Sequence, residues 1–334
     1  MRQIALALVA AAIMSTPLLA SDELSTGGLI LARHPNLEVT SQELAISASE
    51  ISARYRVQNT SDRAVSVLAT FPMPEIAIEG ADDAPALPTD DPINLLAVAV
   101  VVNGKPISPA VEQRVIAAGL DRTQLLRSLG IPFAPHLSST REVVDRLPAD
   151  RVEELRGIGL IDAEPHATAA GMQNRFAPRW ALQTTFFWEE SFAANSETVI
   201  ELRYKPSVGR SDRTLLGSAN QAKESWYEEY DEKYCFGHEF LAAVERARKA
   251  TNSNPGAPFA EQRLDYAHKT WITGLASPMK EFRLTVDKGG ADNLVSLCEE
   301  SARKTSETEI EVKKTNYTPD GSLSILFLSK LPQQ

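Results

Sequence analysis

The sequence predicts a β-rich α+β protein: an antiparallel β-sandwich with a helical insertion, followed by a C-terminal α+β region. Three observations carry this. Runs such as LEVTSQELAIS, ARYRVQN and VSVLATF alternate apolar and polar residues, the period of a strand with one buried face. Between residues 109 and 160 that period gives way to three closely spaced helix-start signatures. After residue 220 a helix with an aromatic stripe leads into short strands punctuated by glycine. The resulting plan is a signal peptide at 1–20, a sandwich domain at 22–107 and 178–209, the insertion at 108–177, and an α+β domain with a disulfide at 220–330.

The first twenty residues, MRQIALALVAAAIMSTPLLA, have a charged start, a short apolar core and a small residue at the end, the pattern of a secretory signal. The apolar run is short of the roughly 20 residues that a membrane span needs. Cleavage after Ala20 or Ser21 would release a periplasmic or secreted protein with no membrane span. The formal net charge of −10 argues against nucleic acid, which selects basic patches, and against anionic lipid.

Strand grammar begins at Leu37. Ala53, Tyr55 and Val57 share one face, Asn59 to Asp62 supplies turn chemistry, and VSVLATF reads as the returning strand of a hairpin. Pro72 and Pro74 lack the N–H that a ladder needs, so the strand is predicted to leave the sheet after Phe71. Asp82, Asp83, Asp90 and Asp91 follow without the alternating order of a calcium loop and are read as solvated. Leu95 to Val102 reads as a buried strand, closed by Asn103-Gly104, the strongest short hairpin signal.

Capping boxes pair Asp121 with Gln124, Ser139 with Glu142 and Asp150 with Glu153. Gly130 and Gly157 stand where C-caps would fall. The apolar residues of this stretch suffice to pack on a neighbour without suggesting an independent core. RWALQTTFFWEESF and ETVIELRYKPSVG then return to strand grammar. AKESWYEEYDEKYCFGHEFLAAVERARKATN is predicted helical, with Trp226, Tyr230 and Tyr234 on one face. That stripe suits a core; a sugar-stacking face is the sharper alternative. WITGLA, KEFRLTVDKG, NLVSLCE, TEIEVKKTNY and SLSILFLS read as strands, with Gly289-Gly290 and Asp320-Gly321 as hairpin turns.

The chemistry-bearing residues form no recognised motif. The five histidines make no H-E-x-x-H pair, and no P-loop, dinucleotide fingerprint or G-x-S-x-G elbow occurs. No metal site and no cofactor is expected. Cys235 and Cys298, in an exported chain, predict one disulfide closing a loop of about 60 residues, worth about 4 kcal/mol on the loop-entropy model, a staple rather than redox chemistry. Two free thiols or a reactive pair, with His238 beside Cys235, are the alternatives. Glu189 and Glu190, just after Trp188, are the first acids to inspect as a carboxylate pair; solvated strand-end charge is the plainer reading. Trp188, Glu189, Glu190, Trp226 and Tyr230 are thus the candidate ligand-binding residues.

Taken together, ELSTGGLIL, YRVQNTSDRAVSVLATFPMPE, VVNGKPI, GLDRTQLLRSLGIPF, RWALQTTFFWEESF, ELRYKPSVG, Tyr234-Cys235 and EFRLTVDKGGADNLVSLCEE resemble, in order, the bacterial exported family known as domain of unknown function 4424. The resemblance implies export and this domain plan, and it carries over no catalytic residues. His238 stands where that family's pattern has small acidic residues. The strand pair ending in Phe-Pro-x-Pro also resembles the inter-alpha-trypsin-type sandwich module, which implies by analogy an adhesive or scaffolding role.

Three functions are carried forward. The first is a non-catalytic binding or structural module for an envelope protein or a glycan. The second is a hydrolase using dispersed carboxylates. The third is an assembly chaperone pairing an exposed strand edge with its client.

Overall fold

Where the chain bends decides which sheet each strand joins. The computed structural model describes residues 23–78, 85–168, 171–218, 220–251, 256–268, 278–319 and 321–332. The expected signal peptide, Asp82, Asp83 and the WITGLA segment lie outside these residues. The chain begins with β1 (Thr26–Gly27), β2 (Ile30–Leu31), β3 (Leu37–Ser47), β4 (Ile51–Asn59) and β5 (Val65–Pro72). Next come β6 (Ala99–Val102), β7 (Lys105–Ile107), β8 (Ala110–Ala117) and β9 (Leu120–Asp121), then α1 (Thr123–Ser128), α2 (Ser138–Asp145) and α3 (Ala149–Gly157). β10 (Ile161–Thr168), β11 (Gly171–Pro178), β12 (Ala181–Phe192), β13 (Glu197–Tyr204) and β14 (Gly209–Ser211) precede α4 (Ser225–Tyr234) and α5 (His238–Thr251). The last strands are β15 (Phe259–Ala267), β16 (Met279–Asp287), β17 (Leu294–Leu297), β18 (Arg303–Lys304), β19 (Glu309–Tyr317) and β20 (Leu323–Lys330).

The protein is strand-rich with few helices, the predicted class. An eight-stranded sheet runs β18-β19-β16-β3-β4-β13-β6-β7. Two five-stranded sheets accompany it, β2-β5-β12-β8-β9 and β1-β15-β20-β17 with β14 also on β15; β10 and β11 pair alone. One face of the large sheet, carrying Ile46, Tyr55, Leu202 and Leu284, joins one continuous core with Phe71, Leu182 and Phe186 of the first small sheet and Leu264, Tyr266, Ile325 and Phe327 of the second. Each such side chain contributes about 1.5–3 kcal/mol when fully buried. The outer face of the large sheet is polar, with Arg54–Glu201 and Arg56–Glu197 ion pairs.

The Asn59–Asp62 bend is not a hairpin. β4 pairs with β3 and β13 in the large sheet, whereas β5 pairs with β12 and β2 in a small one. The bend carries the chain from layer to layer, and residues 193–196 do the same between β12 and β13. Asn59, fully buried, joins the two corners: its Nδ2 donates to the carbonyls of Arg63, Phe192 and Ala193, and its Oδ1 accepts from Ser61. Turn chemistry at Asn59 serves an arch as well as a hairpin. The bends at Gly289-Gly290 and Gly321 are likewise arches, since β16 and β19 lie in the large sheet and β17 and β20 in a small one. Asn103 (φ 48°) and Gly104 (φ 75°) do form the predicted hairpin, between β6 and β7.

Other expectations need local correction. Phe71 is fully buried, but the chain stays beside β12 past the prolines, with Met73 N–H bonded to the Thr184 carbonyl and Ile76 to Leu182. The insertion opens with strand β8 on β12 rather than with a helix. Its helices exist, but no side chain caps their N-cap positions. Asp121 bonds the Thr123 N–H one residue too early for a capping box, and the left-handed residue after α3 is Gly159, not Gly157. Val115, Leu126, Val144, Leu155, Leu160 and Trp180 form a core cluster separate from the main one.

The large sheet also crosses the expected boundary near residue 220, because β16 pairs in parallel with β3. The two parts share one core. The second small sheet is buried on both faces: Leu326 and Leu328 of β20 meet Tyr234, Phe236 and Val244 of the α4–α5 region.

Candidate binding cleft

Strand β15 sets the site through alternation. Leu264 and Tyr266 point into the main core. Glu261, Arg263 and Asp265, on the opposite face, point toward the α4 side. Arg263 is 7% exposed and lies between Glu23 (3.2 Å) and Glu261 (3.4 Å), and also donates to the Ser211 hydroxyl. Glu261 accepts from Thr214 at 2.6 Å and from Tyr230 at 3.4 Å. Lys233 bridges Glu23 (2.9 Å) and Asp265 (3.0 Å). Glu23 is thereby held by two cations at the head of the described chain, while β1 pairs in parallel with β15.

The electrostatics follow from this placement. Burial works to raise the Glu23 carboxyl, but the Lys233 bond and the neighbouring Lys233 and Arg263 charges outweigh it, so its pKa falls below the usual range. For Glu261 burial prevails over Thr214 and Arg263 and the pKa rises. Burial and the nearby Glu261 charge push the Tyr230 phenol up to about 12.

α4 ends beside this network. Trp226, Tyr230 and Tyr234 stack edge to face, with centroids 5.6 and 5.4 Å apart. Cys235 closes the helix in the left-handed region (φ 52°), donating its N–H to Asp231. Cys235 and Cys298 form a disulfide, tying this cap to the end of β17. Beyond it opens a cleft of about 890 Å³, with Glu232, Lys233 and Asp265 on one side and Cys298, Glu299, Glu300 and Lys314 on the other. His268, Phe282 and Tyr317 line its aromatic end, with ring centroids 4.9–5.7 Å apart. Lys314 lies 4.5 Å over the Tyr317 ring and pairs with Glu299 at 2.8 Å. Behind the aromatics His268 bonds Gln42 of β3. The cleft thus combines the partly exposed Tyr317 ring, backed by buried His268 and Phe282, with carboxylates and ammonium groups.

The predicted site residues do not come together. Trp188 lies on β12 in the other small sheet, half-buried against the main core, its Nε1 donating to Glu190 at 2.9 Å; Glu189 faces out. Trp226 and Tyr230 lie on α4, packed against the third cluster. Sequence reasoning reached only Cys298 among the cleft residues and passed over His268, Lys314 and Tyr317. One partial signal was available: Glu261, Arg263 and Asp265 alternate with Gln262, Leu264 and Tyr266, the period of a strand with one charged face. Among the described residues no group of three or more His, Cys, Asp or Glu is placed to hold a metal ion, and no helix is long and apolar enough to cross a membrane.

The family model for domain of unknown function DUF4424 matches residues 20–326, so the chain belongs to this family. No curated protein matches it. Among solved structures, a proposed nutrient-binding protein from Legionella pneumophila superposes with a TM-score of 0.47 at 13% identity, covering 92% of this chain and 72% of that one.

Proposed function

We propose that this DUF4424 member is an exported, non-catalytic binding module of the cell envelope that holds a glycan or a protein segment in the cleft beside the disulfide. The observation that carries this reading is the cleft itself, with the Tyr317 ring, backed by buried His268 and Phe282, at one end and ion-paired side chains around it. Aromatic rings give a sugar or peptide an apolar face to stack on, while the fixed charges orient its polar edge. The test is a glycan array of bacterial envelope polysaccharides, run with the wild type and with Tyr317→Ala. Retention by the wild type, weakened about tenfold or more by loss of the ring, supports the reading. Equal retention by both proteins, or none by either, defeats it for glycans. Affinity purification of the tagged protein from its envelope, with the same variant as control, then decides the protein arm.

A hydrolase remains the second reading, since Glu232, Asp265, Glu299 and Glu300 all line the cleft. Release of new reducing ends from an array-positive polysaccharide would favour it over binding alone. The strand-pairing reading fares worse. The outer strands β1, β2, β7, β9, β14, β17 and β18 of the three larger sheets are two to four residues long, and β7 carries Lys105 and Pro106, which leaves the eight-residue pair β10 and β11 as the long edges open to such a client.

A further inference from the structure

The cleft mouth is built at the disulfide. Glu232 and Lys233 immediately precede the Tyr234-Cys235 cap, and Glu299 and Glu300 immediately follow Cys298. The Cys298 sulfur lies 3.6 Å from the carbonyl oxygens of both Glu232 and Lys233. Both cysteines are exposed, whereas Tyr234, Ser296 and Leu297 beside them are buried. α4 has anchors of its own: Tyr234 in the third cluster, the Ser296 hydroxyl donating to the Tyr234 carbonyl at 2.9 Å, and Lys233 between Glu23 and Asp265. The cross-link is therefore not what keeps α4 on its sheet. It fixes the segment after Leu297 against the helix end, and with it the side of the cleft that carries Glu299 and its partner Lys314.

We propose that oxidation of Cys235 and Cys298 completes the cleft, so that the chain gains its binding surface only after meeting a disulfide donor in an oxidising compartment. This rests on the reading of the cleft as the binding site. One cysteine thiolate attacks a sulfur of the donor disulfide, forming a mixed disulfide and releasing the donor's other sulfur as a thiolate. The second cysteine thiolate then attacks the protein-side sulfur and displaces the donor. The two cysteine thiols lose two protons and two electrons, and the donor leaves as a dithiol. Both cysteines are exposed residues, which opens this exchange to a donor in either direction.

Hydrogen exchange on the full chain, before and after reduction with dithiothreitol, tests the proposal without any ligand. Residues 231–236 and 296–301 should exchange about tenfold faster or more in the reduced protein while β15 and β20 stay protected, and reoxidation by glutathione disulfide should reverse the change. Unchanged exchange at the rim overturns the proposal. So does acceleration spreading through β15 and β20, which would make the disulfide a staple of the whole fold. The Cys235→Ser, Cys298→Ser double variant should behave as the reduced wild type; if it fails to fold, the reduced wild type carries the measurement. Since no ligand enters, a negative glycan or protein screen would sink the binding reading and leave this readout standing.

Discussion

β15 and β20 lie side by side in one sheet, covered on both faces, and solve burial in opposite ways. β20 is apolar on each side: Leu323, Ile325 and Phe327 enter the main core, Leu326 and Leu328 the α4–α5 cluster. β15 is apolar toward the main core but sets Glu261, Arg263 and Asp265 toward the α4 side. The first arrangement stabilises through area removed from water. The second gains little net stability, because desolvation offsets the attraction between charges, but it tolerates very little change. It ties the head of the described chain, a helix and a strand to one guanidinium, and the cleft opens at that junction.

The difference between the two strands depends most on Arg263. Arg263→Ala would leave Glu23 and Glu261 facing each other without their shared cation, and unfolding by denaturant should show a loss of about 3–5 kcal/mol. Replacing Glu23, Glu261 and Arg263 together by Leu, Leu and Met should restore most of that stability; failure to recover would mean that the network contributes more than its charges. On β20, Leu326→Ala should cost about 3 kcal/mol, through lost transfer energy and a residual cavity, and no second substitution in the network should rescue it.

The smallest effect is in pH, and there the two carboxylates of one arginine differ in sign. The Glu23 pKa is lowered on folding, so its contribution is present above the ordinary glutamate range and is lost as pH falls through the folded value. The Glu261 pKa is raised, so folding is favoured while it is protonated and that advantage disappears as pH rises through its folded value. In Tm profiles across the acid range, Glu23→Gln should flatten the loss on acidification, and Glu261→Gln should steepen it. Profiles that shift in the same direction would break the assignment.

How far each region could be read in advance follows the same contrast. SLSILFLS holds the unbroken apolar run ILFL and was legible as a strand. FAEQRLDYA was not, because charges on a buried face erase the apolar period on which such reading depends. Local turn signals placed the bends at Asn59, Gly289 and Gly321 but could not say which layer the next strand joins, since partner choice is decided by the whole core. The paired cysteines were legible from their even count and the signal-like start of the sequence. Lys314 and Tyr317 share β19, but His268, just past the end of β15, meets them only through the pairing of β15 with β20 and the arch from β19 to β20, relations that no local window contains.

That parallel pairing also has a consequence in time. β3 near the start of the chain needs β16, and β1 needs β15, more than two hundred residues downstream. A chain emerging from its amino end can form the β3–β4 ladder early, but the large sheet and the Glu23 anchor must wait until the last quarter has arrived. Closing the large sheet is thus a late event that joins residues far apart in sequence. Until then β3 keeps an open edge where β16 will pair, and the core faces that β15 and β20 will cover stay in water.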